Sequence, residues 1–115
     1  MILFLDDNSE RCQAFLHRCP DATIVRTATD AITLLRSKPW QEVHLDHDLN
    51  WGTYQDPSDK TSGMEVVRFV LCNKPDVDEF IVHSHNEIAG PIMVTELIAA
   101  GYVTHYAPFR FLCSS

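Results

Sequence analysis

Acidic and imidazole side chains gather in three short runs of this 115-residue chain: Asp6-Asp7, Asp46-His47-Asp48 and His83-Ser84-His85-Asn86. Each follows a largely apolar segment, at residues 2–5, 43–45 and 79–82. If the runs converge, the crowded carboxylates raise one another's pKa and need compensation. A divalent cation is the simplest compensation. Carboxylates alone favour Mg²⁺ or Mn²⁺, and neighbouring imidazoles also admit Mn²⁺, Fe²⁺ or Zn²⁺. In strand geometry residues two apart share a side, so Asp46 with Asp48 and His83 with His85 could act as pairs. The plainer alternative for Asp6-Asp7 is a cap and first-turn acid for the helix that follows. His17, His44 and His105 read as structural or surface residues.

The elements that must position these groups alternate along the chain. Residues 2–5 are a short apolar strand. Ser9 can cap a helix running to about Cys19, with Cys12, Phe15, Leu16 and Cys19 on one stripe. Residues 23–28 are rich in β-branched side chains and predict a second strand. Thr29 or Asp30 can cap a second helix with an Ala31, Leu34 and Leu35 face, closed by Pro39. A third strand runs from Val43 toward Leu49. A long polar stretch, 50–62, then has the character of a lid or binding loop. There Trp51 and Tyr54 could stack on a base or fold back as a local plug. Met64, Val67, Val70 and Leu71 predict a third helix, and residues 79–82 a fourth strand. Pro91 suits the first turn of a fourth helix, with Met93, Val94, Leu97 and Ile98 as its buried side. Gly101 stops that helix, and residues 103–106 form a fifth strand.

Strands alternating with helices predict a parallel, doubly wound α/β sheet, here five-stranded. Residues 1–115 are expected to form one domain. Ligands of such sheets sit beyond the carboxyl ends of the strands, where all three polar runs fall. Hydrophobic residues make up 45% of the chain, enough to exclude a disordered polymer. A net charge of −7 argues against gripping duplex DNA, although a small metal-bearing site could still bind one nucleotide or an RNA end. No apolar run is long enough to span a membrane, and the N-terminus reads as a strand without signal-peptide features. Cys12, Cys19, Cys72 and Cys113 form no C-x-x-C pair; free, mostly buried thiols in the cytoplasm are expected.

Taken together, Leu5-Asp6-Asp7, Leu45-Asp46, Gly63-Met64-Glu65, Ser84 and Pro108-Phe109 resemble a response-regulator receiver domain over nearly the whole chain. The resemblance implies the flavodoxin-like strand order 2-1-3-4-5. It makes Asp6 and Asp7 the acidic metal pair, Asp46 the phospho-acceptor and Ser84 the switch hydroxyl. Two departures stand out. Ala107 occupies the position of the receiver lysine that pairs with the phosphoryl group, and Asp46 is followed by His47-Asp48-Leu49 and the long loop. With His47, His83 and His85 added, the pattern is similar to the cyclic-phosphate processing receiver domain. That group is thought to act on cyclic or nucleotide-derived phosphates.

The resemblance implies a metal-dependent phosphoesterase acting on a cyclic phosphate, such as a 2′,3′-cyclic RNA end or a cyclic nucleotide. Asp6, Asp7 and Asp46 would hold the divalent ion (Mg²⁺ or Mn²⁺, with Zn²⁺ possible). His47 or His83 would be general acid or base, and His85 or Asp48 a further ligand or orienting partner. Ser84 belongs to the same site, and Asn86 could donate to a phosphate oxygen. A signalling receiver phosphorylated on Asp46 and a non-catalytic interaction module are the alternatives. Asp46→Ala is expected to abolish activity and to raise the stability of the metal-free protein.

Overall fold

Parallel pairing sets the frame of the molecule. The computed structural model describes residues 1–47, 62–84 and 86–107. Along them run β1 (Ile2–Leu5), α1 (Ser9–Arg18), β2 (Thr23–Val25), α2 (Ala28–Ser37), β3 (Trp40–Leu45), α3 (Gly63–Asn73), β4 (Val77–Val82), α4 (Ala89–Ala99) and β5 (Val103–Tyr106). The sheet order is β2-β1-β3-β4-β5 with every pair parallel, the receiver-like arrangement expected.

Burial explains the strand compositions. Leu3, Phe4 and Leu5 of β1 are all buried, because a central parallel strand is covered on both faces. On one face Leu3, Leu5, Val43, Leu45, Phe80 and Val82 meet Ala31 and Leu35 of α2, Val67 and Val70 of α3, and Met93 and Leu97 of α4. On the other, Phe4 packs with Cys12 and Phe15 of α1. The Phe4 and Phe15 rings stack at 4.2 Å. Among the described residues α1 is thus the one helix on its face. No helix among them is long and apolar enough to cross a membrane.

Several boundaries differ from expectation for local reasons. Asn8, and not Ser9, caps α1: its side chain accepts the Arg11 N–H at 3.0 Å. Thr27 caps α2 by accepting the Asp30 N–H at 3.1 Å, so Ala28 opens a helix instead of ending β2. The strands β3 and β4 start earlier than their apolar cores, because Trp40 and Val77 are buried and paired with each other. Ile98 is 54% exposed and does not belong to the buried side of α4, which is formed by Met93 and Leu97. Gly101 ends that helix with φ of 97°. Of the free cysteines described, Cys12 is buried, Cys19 half-buried and Cys72 exposed, which corrects the expectation of mostly buried thiols. Asp48, Trp51, Tyr54, His85, Pro108, Phe109 and Cys113 lie outside the described residues.

One close approach ties α3 to the end of β3. Gly63 donates its N–H to the His47 carbonyl at 2.8 Å. A Cβ on Gly63 would stand 1.9 Å from the Asp46 carbonyl oxygen, a backbone atom that cannot swing away. Gly63→Ala is therefore expected to cost roughly 2–3 kcal/mol of stability through backbone displacement. Denaturant unfolding checks this, and an unchanged midpoint would show that the approach can relax.

Candidate functional site

The site is a consequence of strand register. Leu5 lies level with Leu45, and Leu45 with Val82. The residues that follow them are Asp6, Asp46 and His83. The ladder continues through these positions: Asp46 N–H donates to Leu5 O at 3.1 Å and His83 N–H to Leu45 O at 2.9 Å. Successive strand residues alternate faces, so three residues following three core-facing ones turn toward α1. Neighbouring strands lie about 4.8 Å apart, which brings these three side chains together. One ligand atom from each of Asp6, Asp46 and His83 lies within 4.8 Å of the others, and all three residues are buried. His83 also stacks flat on Phe4, with ring centroids 4.7 Å apart.

A fourth group completes the cluster. Arg11, in the first turns of α1, donates Nε to Asp6 Oδ2 at 2.6 Å and Nη2 to Asp6 Oδ1 at 3.0 Å. The same Nη2 lies 3.5 Å from Asp46 Oδ2. Asp6 further accepts the Asn8 N–H on Oδ1 at 2.9 Å, and its Oδ2 pairs with His83 Nε2 at 3.0 Å. Burial alone would raise the Asp6 pKa. Hydrogen bonds from His83 and Arg11, the His83 charge and the Asn8 amide outweigh it and hold the carboxyl at about 2. Burial likewise disfavours the Arg11 charge, yet Asp6, Asp46 and Asp7 raise its pKa. Part of the compensation that the crowded carboxylates require is therefore built into the chain as a guanidinium. Sequence reasoning looked for that compensation in a metal and passed over Arg11. Its signal was position alone: a cation five residues beyond Asp6, on the helix leaving β1.

The remaining sequence-derived candidates are placed differently. Asp7 is half-buried and is not one of the three clustered ligands; His83 is, although it was expected as an acid or base. The Asp7 carbonyl accepts from Arg26 Nη1 at 3.3 Å. His47 is buried, donates its backbone N–H to Asp46 Oδ1 at 2.9 Å, and holds Nδ1 3.5 Å from Asn86 Nδ2. Asn86 braces the turn that leads into α4: its Oδ1 accepts from the Ile88 and Ala89 N–H groups at 3.1 and 2.9 Å. That leaves its Nδ2 end, and not its carbonyl, for other contacts. Ser84 Oγ accepts the Asn86 N–H at 3.0 Å, and Ser84 O accepts from the Tyr106 hydroxyl at 3.0 Å. His44 stands apart as a structural residue, edge-on to Phe15 at 4.7 Å and 3.0 Å from Glu42. Burial lowers its pKa, against the opposing pull of Glu42. Ala107 extends the β5 ladder to Val82 O, so it brings no cation to the site; among the described residues, Arg11 is a cation beside Asp46. Asp48 and His85, the expected partners of Asp46 and His83, lie outside the described residues.

Against known proteins, the family description "Cyclic-phosphate processing Receiver domain" matches residues 1–99. The chain belongs to this family. Solved structures similar to this chain include receiver domains and a response regulator. One is the signal receiver domain of a protein described as a Luxo repressor from Vibrio parahaemolyticus, at 22% identity and TM-score 0.67, covering 96% of this chain and 79% of that one. Another is a response regulator from Burkholderia pseudomallei with a phosphorylated aspartic acid, calcium ion and citrate, at 14% identity and TM-score 0.65, covering 96% and 61%. A third is a CheY-like receiver domain protein from Methanospirillum hungatei JF-1, at 13% identity and TM-score 0.57, covering 96% and 82%. At these identities the likeness establishes the receiver fold. No curated protein matches the chain.

Because the folded Asp6 pKa, about 2, lies below its ordinary 3.8, its ionised form stabilises the fold. That contribution is complete above about pH 5 and is lost as pH falls through 3.8 toward 2. Asp6→Asn is expected to be roughly 2 kcal/mol less stable than the parent at pH 7, with the gap closing toward pH 2. Urea midpoints across that range check it, and a gap independent of pH would contradict the charge assignment.

Proposed function

We propose that this receiver domain is a metal-dependent hydrolase of cyclic phosphates, of the nucleotide or RNA-end type, working in the cytoplasm. The observation that carries the reading is the buried Asp6, Asp46 and His83 group, with ligand atoms within 4.8 Å of one another at the carboxyl edge of the sheet. Two carboxylates and an imidazole form a donor set suited to Mn²⁺ or Zn²⁺ as well as Mg²⁺. Bound there, the ion would polarise a phosphoryl oxygen and lower the pKa of a water. His83 then serves as ligand, and His47 is the described imidazole left for proton transfer. Its backbone bond to Asp46 and its approach to Asn86 fix where it stands. Ser84 Oγ and Asn86 Oδ1 hold backbone N–H groups of residues 86, 88 and 89, between the end of β4 and the start of α4. Asp7, Asp48 and His85 are the further ligand or orienting candidates.

Mn²⁺ is expected to raise the melting temperature of metal-stripped protein and to support hydrolysis of a 2′,3′-cyclic nucleotide, both lost in Asp46→Ala. Arg11 and the His47 N–H already offset repulsion at Asp46, so metal-free Asp46→Ala should lie within about 1 kcal/mol of the parent. Stabilisation by metal without turnover of any cyclic phosphate would rule out the hydrolase and leave the ion site.

A second reading is a receiver phosphorylated on Asp46. Favouring it are the position of Asp46 at the end of β3, beside Asp6, and the Burkholderia pseudomallei neighbour that bears a phosphorylated aspartic acid and calcium. Acetyl phosphate with Mg²⁺ should then add one phosphoryl group by intact mass, absent in Asp46→Asn. An unchanged mass in the parent removes this reading.

A further inference from the structure

We propose that Arg11 is a tethered counter-cation that a divalent ion must displace from Asp6 in order to enter the site. This rests on the reading of Asp6, Asp46 and His83 as an ion site and adds how that site is loaded.

The argument is one of acceptor capacity. An ionised carboxylate offers about four acceptor directions. Asp6 has four partners in reach: Arg11 Nε and His83 Nε2 at Oδ2, Arg11 Nη2 and the Asn8 N–H at Oδ1. A metal ion therefore cannot add to Asp6; it must exchange. The Asn8 amide belongs to the capped turn of α1, whose Asn8 side chain holds the Arg11 N–H. His83, the proposed imidazole ligand, can turn its Oδ2 contact over to the ion but stays in place, 3% exposed and stacked on Phe4; the Arg11 fork would still cover both Asp6 oxygens. Arg11 supplies two of the four contacts, and its side chain is 21% exposed, against 0% for Asp6. It is the partner with a route to solvent. Its Nη2 also lies 3.5 Å from Asp46 Oδ2, so one withdrawal removes a cation from beside both carboxylates. Like charge adds to the exchange, since guanidinium and divalent ion repel each other when close.

The exchange makes Arg11 a setter of ion affinity. Removing it takes a competing cation away from both carboxylates while weakening the metal-free state. Isothermal titration of the full chain with Mn²⁺ alone reads this directly. Arg11→Gln is expected to bind Mn²⁺ about tenfold or more tightly than the parent, as befits loss of a competing bidentate, charge-assisted contact. Arg11→Lys keeps a point charge and loses the planar fork, so its affinity should fall between the two. If the parent binds Mn²⁺ and both variants bind equally or more weakly, the exchange is overturned and the ion site stands. If neither parent nor variants bind, the ion site falls and the exchange with it. Should Arg11→Gln fail to fold, Arg11→Lys decides: tighter binding than the parent supports the exchange, and equal or weaker binding overturns it.

Discussion

Register between three parallel strands is the constraint on which this molecule depends. Leu5, Leu45 and Val82 are buried at one level of the sheet, and that level fixes where Asp6, Asp46 and His83 emerge. A slip of one residue in any of the strands would turn its buried side chain to the opposite face and take its polar neighbour with it. The hydrophobic core thus sets the chemistry of the edge. The close approach of Gly63 to the Asp46 carbonyl fixes the same level from the side of α3.

Once the register has gathered the acids, charge has to be balanced locally. Arg11 and His83 both engage Asp6, and Arg11 spans to Asp46. The metal-free cluster is therefore a set of satisfied pairs and not a knot of bare anions. This changes what an entering ion meets. Where the donors alone suggest an open acidic pocket, the geometry presents a carboxylate whose acceptor directions are already in use.

Much of this was legible in the sequence. Periodicity and turn residues gave the nine elements among the described residues, and the alternation gave a parallel sheet, because a parallel strand buried on both faces and an amphipathic helix leave distinct patterns; the strand order came from the receiver resemblance. The convergence of the polar runs followed from the fold. Cap identities were missed at Asn8 and Thr27, since several adjacent polar residues can serve and backbone geometry selects one. Asp7 was paired with Asp6 through the receiver resemblance, and His83 was given a different task from the acids. Only register reveals that His83 stands level with Asp6 and Asp46, because it is a relation across strands far apart in the chain. Arg11 was hidden for a related reason: a charged residue in the first turns of an amphipathic helix reads as solvated surface until the helix is docked.

The docking of α1 has a mechanical meaning. Among the described residues it is the one helix on its face of the sheet, seated on Phe4 through Cys12 and Phe15. Through Arg11 it also grips acids at the ends of two strands. Phe4 is shared further, because His83 stacks on it from the site side. Helix seat and charged edge thus share one ring: the packing of α1 and the balance of the acids meet at Phe4, so neither can shift without disturbing the other's support.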